Sequence, residues 1–132
     1  VERMVTAYDI GRVVNRVGAE LHAEGGAIQG LGYALMEEIV HSPEGKVWNP
    51  NLYAYYIPTI LDVPKEIISV FVEAGYIRGP FGAKGLGEPS INGIAPAIAN
   101  AIANAVGVRI KSLPMTPEKV YLELKRKGLI KL

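Results

Sequence analysis

The sequence contains no cysteine, which excludes disulfide bonds, thiolate zinc sites and iron–sulfur ligation within its 132 residues. Aromatic residues make up only 8% and the formal net charge is +1, so the chain lacks the broad basic surface that binds nucleic acid. No apolar run approaches the roughly 20 residues of a membrane-spanning helix, and no signal-peptide pattern opens the chain. These absences predict a globular protein with a cytoplasmic location.

The length and composition predict a single domain over residues 1–132. Hydrophobic residues account for 49% of the chain and charged residues for 20%, which is enough apolar content to bury one core. The chain begins with Val1 rather than Met and passes directly into an apolar stretch. This beginning raises the expectation that the sequence is part of a longer protein.

Hydrophobic periodicity predicts a mixed α/β fold with a small sheet and about three helices. A strand is expected over Arg3–Tyr8. A helix is expected from about Gly18 to Ile39, because apolar residues recur there at helical spacing. They form one expected face at Leu21, Ile28, Leu31, Leu35 and Ile39.

The second half of the chain gives further local signals. The β-rich run EIISVFVEAG predicts a strand that is covered on both faces. The stretch NGIAPAIANAIANAVG predicts a helix with Pro96 near its start and Gly107 as its stop. VRIKSLPM is expected as a last strand. Thr116 and Pro117 then predict the start of a final helix, with the basic run 125–127 at its C-terminus.

Two glycine-rich segments have compositions that ordinary propensity does not explain. The stretch FGAKGLGEP holds three glycines and one carboxylate, Glu88, which predicts a shaped loop rather than a helix or a central strand. The first predicted helix contains Gly25, Gly26, Gly30 and Gly32, each costing about 1 kcal/mol relative to alanine in a helix interior. Close packing on another backbone and a ligand against the helix start are both open as reasons.

Common catalytic and nucleotide-binding motifs are absent from the sequence. The glycine loop lacks Walker A spacing and has no hydroxyl residue after Lys84, while GGAIQGLG does not satisfy G-x-G-x-x-G. His22 and His41 lack metal-ligand spacing to each other, so no metal ligand is assigned. What remains is Glu88 on its glycine loop and a glycine-studded helix that carries Gln29.

Four stretches carry a resemblance to a known family: EGGAIQGLGYALMEE, NPNLYAYYIPTILDVPKEI, GPFGAKGLGEP and IANAIANAVGVRIKSLPMTPEKV. In this order they closely resemble the C-terminal part of the molybdenum-binding large subunit of the xanthine dehydrogenase and aldehyde oxidase family. The resemblance extends from Asp9 to about Val120. It implies the fold of the family's C-terminal molybdopterin-binding subdomain. It also implies a molybdenum hydroxylase of the xanthine, purine or aldehyde dehydrogenase type, which uses a molybdenum–molybdopterin cofactor.

The resemblance gives a role to the glycine loop. The glutamate of a G-x-G-E-P loop is the family's active-site base, and here that residue is Glu88. Gly85 and Gly87 would let the loop backbone approach the cofactor closely. Glu88 is therefore the expected catalytic residue.

The resemblance also places the glycine helix against the pterin of the cofactor. Gly25, Gly26 and Gln29 are expected to lie near it. His22 stands where the family usually has a glutamine that contacts the pterin, and an imidazole can still donate a hydrogen bond. Arg16 likewise replaces the usual proline after Asn15.

The family's large subunit is several times longer than this chain, and flavin and iron–sulfur subunits or domains carry its electrons onward. The resemblance therefore implies three kinds of partner: the remainder of the large subunit, the electron-transfer subunits, and a small aldehyde or N-heterocycle as substrate. The isolated chain is expected to be inactive and able to form a homo-oligomer, with no nucleic-acid or membrane partner.

Two alternatives belong to other functional classes. A non-catalytic structural or interaction module that kept the fold is favoured by His22, Arg16 and the short chain. The intact GAKGLGEP favours the catalytic alternative instead. A nucleotide-binding domain is disfavoured because both glycine motifs fail the required spacing.

Overall fold

The computed structural model describes residues 1–130 and has the expected mixed α/β fold. Its elements are β1 (Arg3–Asp9), α1 (Arg16–Leu35), β2 (Glu66–Val72), a 3-10 turn (Pro80–Gly82), α2 (Pro89–Asn92), α3 (Ile94–Val106) and α4 (Pro117–Arg126). The chain divides into two compact units, the first of residues 1–30 and 59–93, the second of residues 31–58 and 94 onward. No helix among residues 1–130 has the length and apolarity needed to span a membrane.

The sheet of the first unit consists of β1 and β2, which pair in parallel along their whole lengths. Both strands were predicted and both are confirmed. Along β1, Met4 and Thr6 are buried whereas Val5 is 59% exposed. This alternation follows the two-residue period of a strand and shows that one face of the sheet is turned inward.

The expected burial of β2 on both faces is wrong for the described chain. Val70 is 45% exposed and Val72 is 47% exposed. The physical reason is that this sheet has one outward face, because Val70 and Val72 pair with Ala7 and Asp9, on the same face as the exposed Val5. A parallel strand is normally buried because layers cover both of its faces.

The glycine loop folds back onto the chain that directly follows β1. Gly11, just after β1, forms an isolated antiparallel bridge with Ala83, and the Lys84 amide donates to the Ile10 carbonyl oxygen at 2.8 Å. Gly11 has a φ of +59°, and a Cβ there would collide with the Gly82 carbonyl oxygen. Glycine is therefore required at this crossing, which fixes the start of the loop to the sheet.

α1 buries a face of mostly small residues. Its N-terminus is capped by Asn15, whose Oδ1 accepts the Gly18 amide at 2.9 Å. The expected apolar face is wrong at both of its ends, because Leu21 is 65% exposed and Ile39, at 58%, lies beyond the end of α1 at Leu35. The buried positions are Ala23, Gly26, Ala27, Gly30, Leu31, Gly32 and Ala34. Small side chains let a neighbouring segment approach the helix axis closely. α1 therefore packs with this face rather than with the face that carries Leu21.

The sequence left two reasons open for the glycines of α1, close packing and a bound ligand. The surroundings of Gly26 and Gly25 distinguish between them. A Cβ on Gly26 would lie 2.5 Å from the Ser90 Cβ and closer still to its Oγ. A Cβ on Gly25 would meet nothing within 4 Å. Close packing therefore accounts for Gly26, whereas Gly25 faces open space.

In the second unit, α3 buries Ile94, Ala95 and Ile98 and ends at Gly107, which has a φ of +74°. The predicted helix and its glycine stop are confirmed. α4 begins as predicted, with the Thr116 side chain accepting the Lys119 amide at 3.3 Å.

The strand expected in VRIKSLPM is wrong, since residues 108–115 form no strand in the structure. Val108 is fully buried, and the Met115 amide donates to the Ala34 carbonyl oxygen at 2.7 Å. β-rich composition produces a strand only where another strand offers its edge. Here the segment is held by side-chain burial and by a hydrogen bond to the end of α1.

Gly26→Ala should destabilise the chain by about 1–3 kcal/mol, because the added methyl group overpacks the contact with Ser90. Gly25→Ala is the matched control and should stabilise the chain by up to about 1 kcal/mol, through helix propensity alone. Urea unfolding followed by circular dichroism measures both. Equal effects of the two substitutions would contradict the close contact at Gly26.

Candidate functional site

A cleft of about 510 Å³ lies in the first unit, between α1 and the turn that leads into α2. This volume is within the range of about 300–1,000 Å³ that is typical of ligand pockets. Its lining residues are Leu21, His22, Gly25, Gly26, Gln29, Gly87, Glu88, Ser90 and Ile91. Six of the seven residues predicted for the site therefore meet at one cleft. The seventh, Gly85, lies earlier in the glycine loop and does not line it.

Glu88 is exposed at the N-terminus of α2. It occupies the N-cap position, yet its side chain makes no capping hydrogen bond. Within residues 1–130, no hydrogen bond or ion pair engages its carboxylate. The carboxylate oxygens are therefore available to a ligand in the cleft.

The carbonyl oxygen of Gly87, directly before Glu88, is a convergence point for hydrogen bonds. His22 Nε2 donates to it at 3.1 Å and Ser90 Oγ donates at 2.8 Å. The Ser90 amide adds a longer contact at 3.3 Å. On the other side of Ser90, the Tyr8 hydroxyl donates to its carbonyl oxygen at 3.0 Å. The turn that carries Glu88 is thus tied to α1 and to β1.

The start of the glycine loop is held by an ion pair. Lys84 Nζ lies 2.5 Å from Asp9 Oδ2, and the Gly11 amide donates to Asp9 Oδ1 at 3.1 Å. The hydrogen bond from Lys84, followed by that from Gly11, holds the pKa of the Asp9 carboxyl below its usual value. Lys84 also lies 5.9 Å from the centroid of the Tyr76 ring. The lysine of the glycine loop is therefore engaged within the fold, unlike a phosphate-binding lysine.

A second cleft of about 340 Å³ adjoins the first within the same unit. It shares His22 and Gly87 with the first cleft and adds Arg12, Asn15 and Leu86. The imidazole of His22 therefore stands at the border of both spaces.

Sequence reasoning did not identify Ser90 or Tyr8 as part of this arrangement. Ser90 is 1% exposed, fills the space left by Gly26 and donates to Gly87. Gly26 was a signal that some group approaches α1 closely, but nothing local in the sequence identifies which group. Tyr8 lies in a predicted strand, and nothing local in the sequence identifies a partner for its hydroxyl.

Comparison with known proteins relates the chain to molybdenum enzymes. The molybdopterin cofactor-binding domain family matches residues 1–64. The chain is 42% identical over 131 residues to the xanthine dehydrogenase molybdenum-binding subunit of Escherichia coli O157:H7, covering 98% of this chain and 17% of that subunit. It is 36% identical over 125 residues to the aldehyde oxidoreductase molybdenum-binding subunit PaoC of Escherichia coli strain K12, covering 94% of this chain and 17% of that subunit.

A solved structure has the same fold. The crystal structure of the aldehyde oxidoreductase from Desulfovibrio desulfuricans matches with a TM-score of 0.84 at 37% sequence identity, covering 92% of this chain and 13% of that one. This likeness confirms the fold expected from the sequence resemblance. The chain spans about a sixth of the length of the curated relatives reported above.

Acidification should release the start of the glycine loop. Because the Asp9 pKa is lowered below its ordinary value of 3.8, the stabilisation from its pair with Lys84 is complete above that value. It is lost as pH falls through the lower value of the folded state. Amide resonances of residues 84–87 should therefore shift below about pH 4 in an NMR titration, and salt should weaken the effect because the pair is partly exposed.

Asp9→Asn should abolish this acid transition. Asp62→Asn is the matched control, because the Asp62 carboxyl also has a lowered pKa, caused by hydrogen bonds from the Thr59 amide and hydroxyl, but lies outside the glycine loop. The control should leave the transition of residues 84–87 intact. An unchanged transition in Asp9→Asn would contradict the role of this ion pair.

Proposed function

Because the chain belongs to the family of molybdenum-binding subunits of xanthine dehydrogenases and aldehyde oxidoreductases, we propose that its cleft forms part of a molybdopterin site and that Glu88 is the catalytic base there. The observation that supports this proposal most directly is that Glu88 lines the same cleft as Gly25 and Gly26 of α1. The proposed reaction is hydroxylation of a small aldehyde or N-heterocycle.

The residues of the cleft fit a pterin cofactor. A Cβ at Gly25 or at Gly87 would meet nothing of the chain within 4 Å, so both glycines leave open space at the wall of the cleft. Gln29 is exposed at the same wall and offers both an amide donor and a carbonyl acceptor. A flat heterocycle with alternating donors and acceptors needs such a wall. Gly25, Gly26 and Gln29 would hold it from α1, and Gly87 from the turn.

When bound, the molybdenum–molybdopterin cofactor supplies the oxidation of the substrate carbon. The part of Glu88 is to accept a proton at a carboxylate oxygen, a role in general base catalysis that needs an unpaired acceptor within reach of the reacting group. Its carboxylate makes no capping bond, so it need not break an internal hydrogen bond before acting. The hydrogen bonds to Gly87 keep the peptide before it in place.

The competing role for Glu88 is a purely structural one at a helix N-terminus, where carboxylates are favoured. α2 has only four residues, from Pro89 to Asn92, and the Glu88 side chain does not cap it. Both observations favour the catalytic role over the structural one.

We further propose that the remainder of a longer large subunit completes the site, and that flavin and iron–sulfur partners take the electrons. The cleft is open, and several large apolar side chains are exposed, among them Tyr53 at 94%, Leu61 at 92% and Ile77 at 100%. Burial of such side chains against the remainder of the subunit would remove apolar surface from water. A homo-oligomer of the isolated chain would cover it in part.

Glu88→Gln should lower turnover of the complete enzyme by about 10²–10⁴-fold, because the amide keeps the shape of the side chain but cannot accept the proton. Cofactor content should not change. Steady-state kinetics together with molybdenum analysis measures both quantities.

Glu118→Gln is the matched control for this substitution. Glu118 is an exposed carboxylate in the first turn of α4 and lies outside the cleft. Its replacement tests the general effect of removing a carboxylate from a helix N-terminus and should leave turnover near that of the wild type. Near-wild-type turnover in Glu88→Gln would refute the base assignment and favour a non-catalytic module with the same fold.

The chain purified without partners should hold no stoichiometric molybdenum and should not oxidise xanthine, hypoxanthine or aldehydes. The reason is that the cleft walls described here leave a bound cofactor open on its other sides. Elemental analysis and dye-linked oxidation assays measure both properties. A partner-free preparation with about one molybdenum per chain would contradict the proposed need for the remaining large subunit.

A further inference from the structure

His22 connects α1 to the peptide directly before Glu88. Its Nε2 atom lies 3.1 Å from the Gly87 carbonyl oxygen, and 65 positions separate the two residues in the sequence. A carbonyl oxygen only accepts, so Nε2 carries the proton of this hydrogen bond. The neutral tautomer with its hydrogen on Nε2 and the charged imidazolium can both donate it. This hydrogen bond links α1 directly to the glycine loop.

Gly87 has little else to hold it to α1. It has no side chain, and a Cβ at its position would meet nothing within 4 Å. Glycine is also the residue with the greatest backbone freedom. The other two donors to its carbonyl oxygen, the Ser90 amide and hydroxyl, belong to the same turn and reach α1 only indirectly, through the contact of Ser90 with Gly26.

The two sides of Glu88 are held by different contacts. On the C-terminal side, Ser90 is anchored by its contact with Gly26 and by the hydroxyl of Tyr8. On the N-terminal side, the hydrogen bond from His22 is the one described link between Gly87 and α1. Removal of the imidazole would leave Gly87, on the N-terminal side of Glu88, without this link to α1.

We propose that His22 is a positioning residue, which fixes the Gly87–Glu88 peptide and thereby orients the Glu88 carboxylate, rather than a ligand that holds the cofactor through Nε2. This inference rests on the proposed role of Glu88. It assigns to His22 a contact within the protein, whereas the sequence resemblance assigned to that position a contact with the pterin.

Variants of His22 whose side chains differ in reach test this proposal. The amide nitrogen of glutamine is as many bonds from Cα as Nε2 of histidine, so His22→Gln can still donate to Gly87. The amide nitrogen of asparagine is one bond shorter, so His22→Asn is polar but cannot reach. His41→Asn is the matched control, since His41 is also exposed and lies outside both clefts.

The first measurement is amide hydrogen exchange of the full chain, without cofactor. Exchange of the Ser90 and Ile91 amides, which donate to the Gly87 and Glu88 carbonyl oxygens, reports opening of the turn. His22→Asn should accelerate it by about three- to tenfold, the effect of losing one hydrogen bond. His22→Gln and His41→Asn should exchange at the wild-type rate. Unchanged exchange in His22→Asn, or failure of His22→Gln to restore it, would overturn the proposal.

The second measurement uses the complete enzyme. His22→Asn should lower kcat with molybdenum and pterin content unchanged, and His22→Gln should restore kcat. Loss of cofactor from His22→Asn without faster exchange would overturn the proposal in favour of a direct cofactor contact. Failure of the base assignment gives a different result, because Glu88→Gln would then keep its turnover while the exchange rates of the His22 variants stayed as expected.

Discussion

The peptide between Gly87 and Glu88 is the constraint on which the candidate site depends. Its carbonyl oxygen accepts hydrogen bonds from His22 and Ser90, and Ser90 in turn fills the space that Gly26 leaves on α1. A larger residue at Gly26 would push the turn away from the helix. The orientation of the Glu88 carboxylate therefore follows from a glycine 62 positions earlier in the chain.

The parallel sheet holds the start of the glycine loop that leads to Glu88. Parallel β1 and β2 end side by side, and functional groups in such folds gather beyond the carboxyl ends of the strands. Gly11 contacts the glycine loop through its bridge with Ala83, and the ion pair between Asp9 and Lys84 holds the start of that loop. The loop is consequently anchored at both of its ends, which leaves Gly85 exposed between them.

Local patterns predicted most of the elements, because the apolar stretch of β1 and the helical spacing of α3 involve only residues that are near one another in the sequence. The site residues came from the resemblance, and six of them lie at one cleft. Leu21 and the VRIKSLPM segment were misjudged, since burial of a helix face and strand pairing both depend on distant partners. The contacts of Ser90 with Gly26 and of His22 with Gly87 were not predictable for the same reason: each joins segments that are far apart in sequence.

The proposed function requires that α1 and the Glu88 turn form one wall of the molybdopterin site. A structure of the complete enzyme with its cofactor bound tests this most directly. We expect the pterin to lie against the open positions at Gly25 and Gly87, and the Glu88 carboxylate to face the reacting centre. A cofactor that leaves this cleft empty, or a cleft filled by side chains of the remaining subunit, would contradict it.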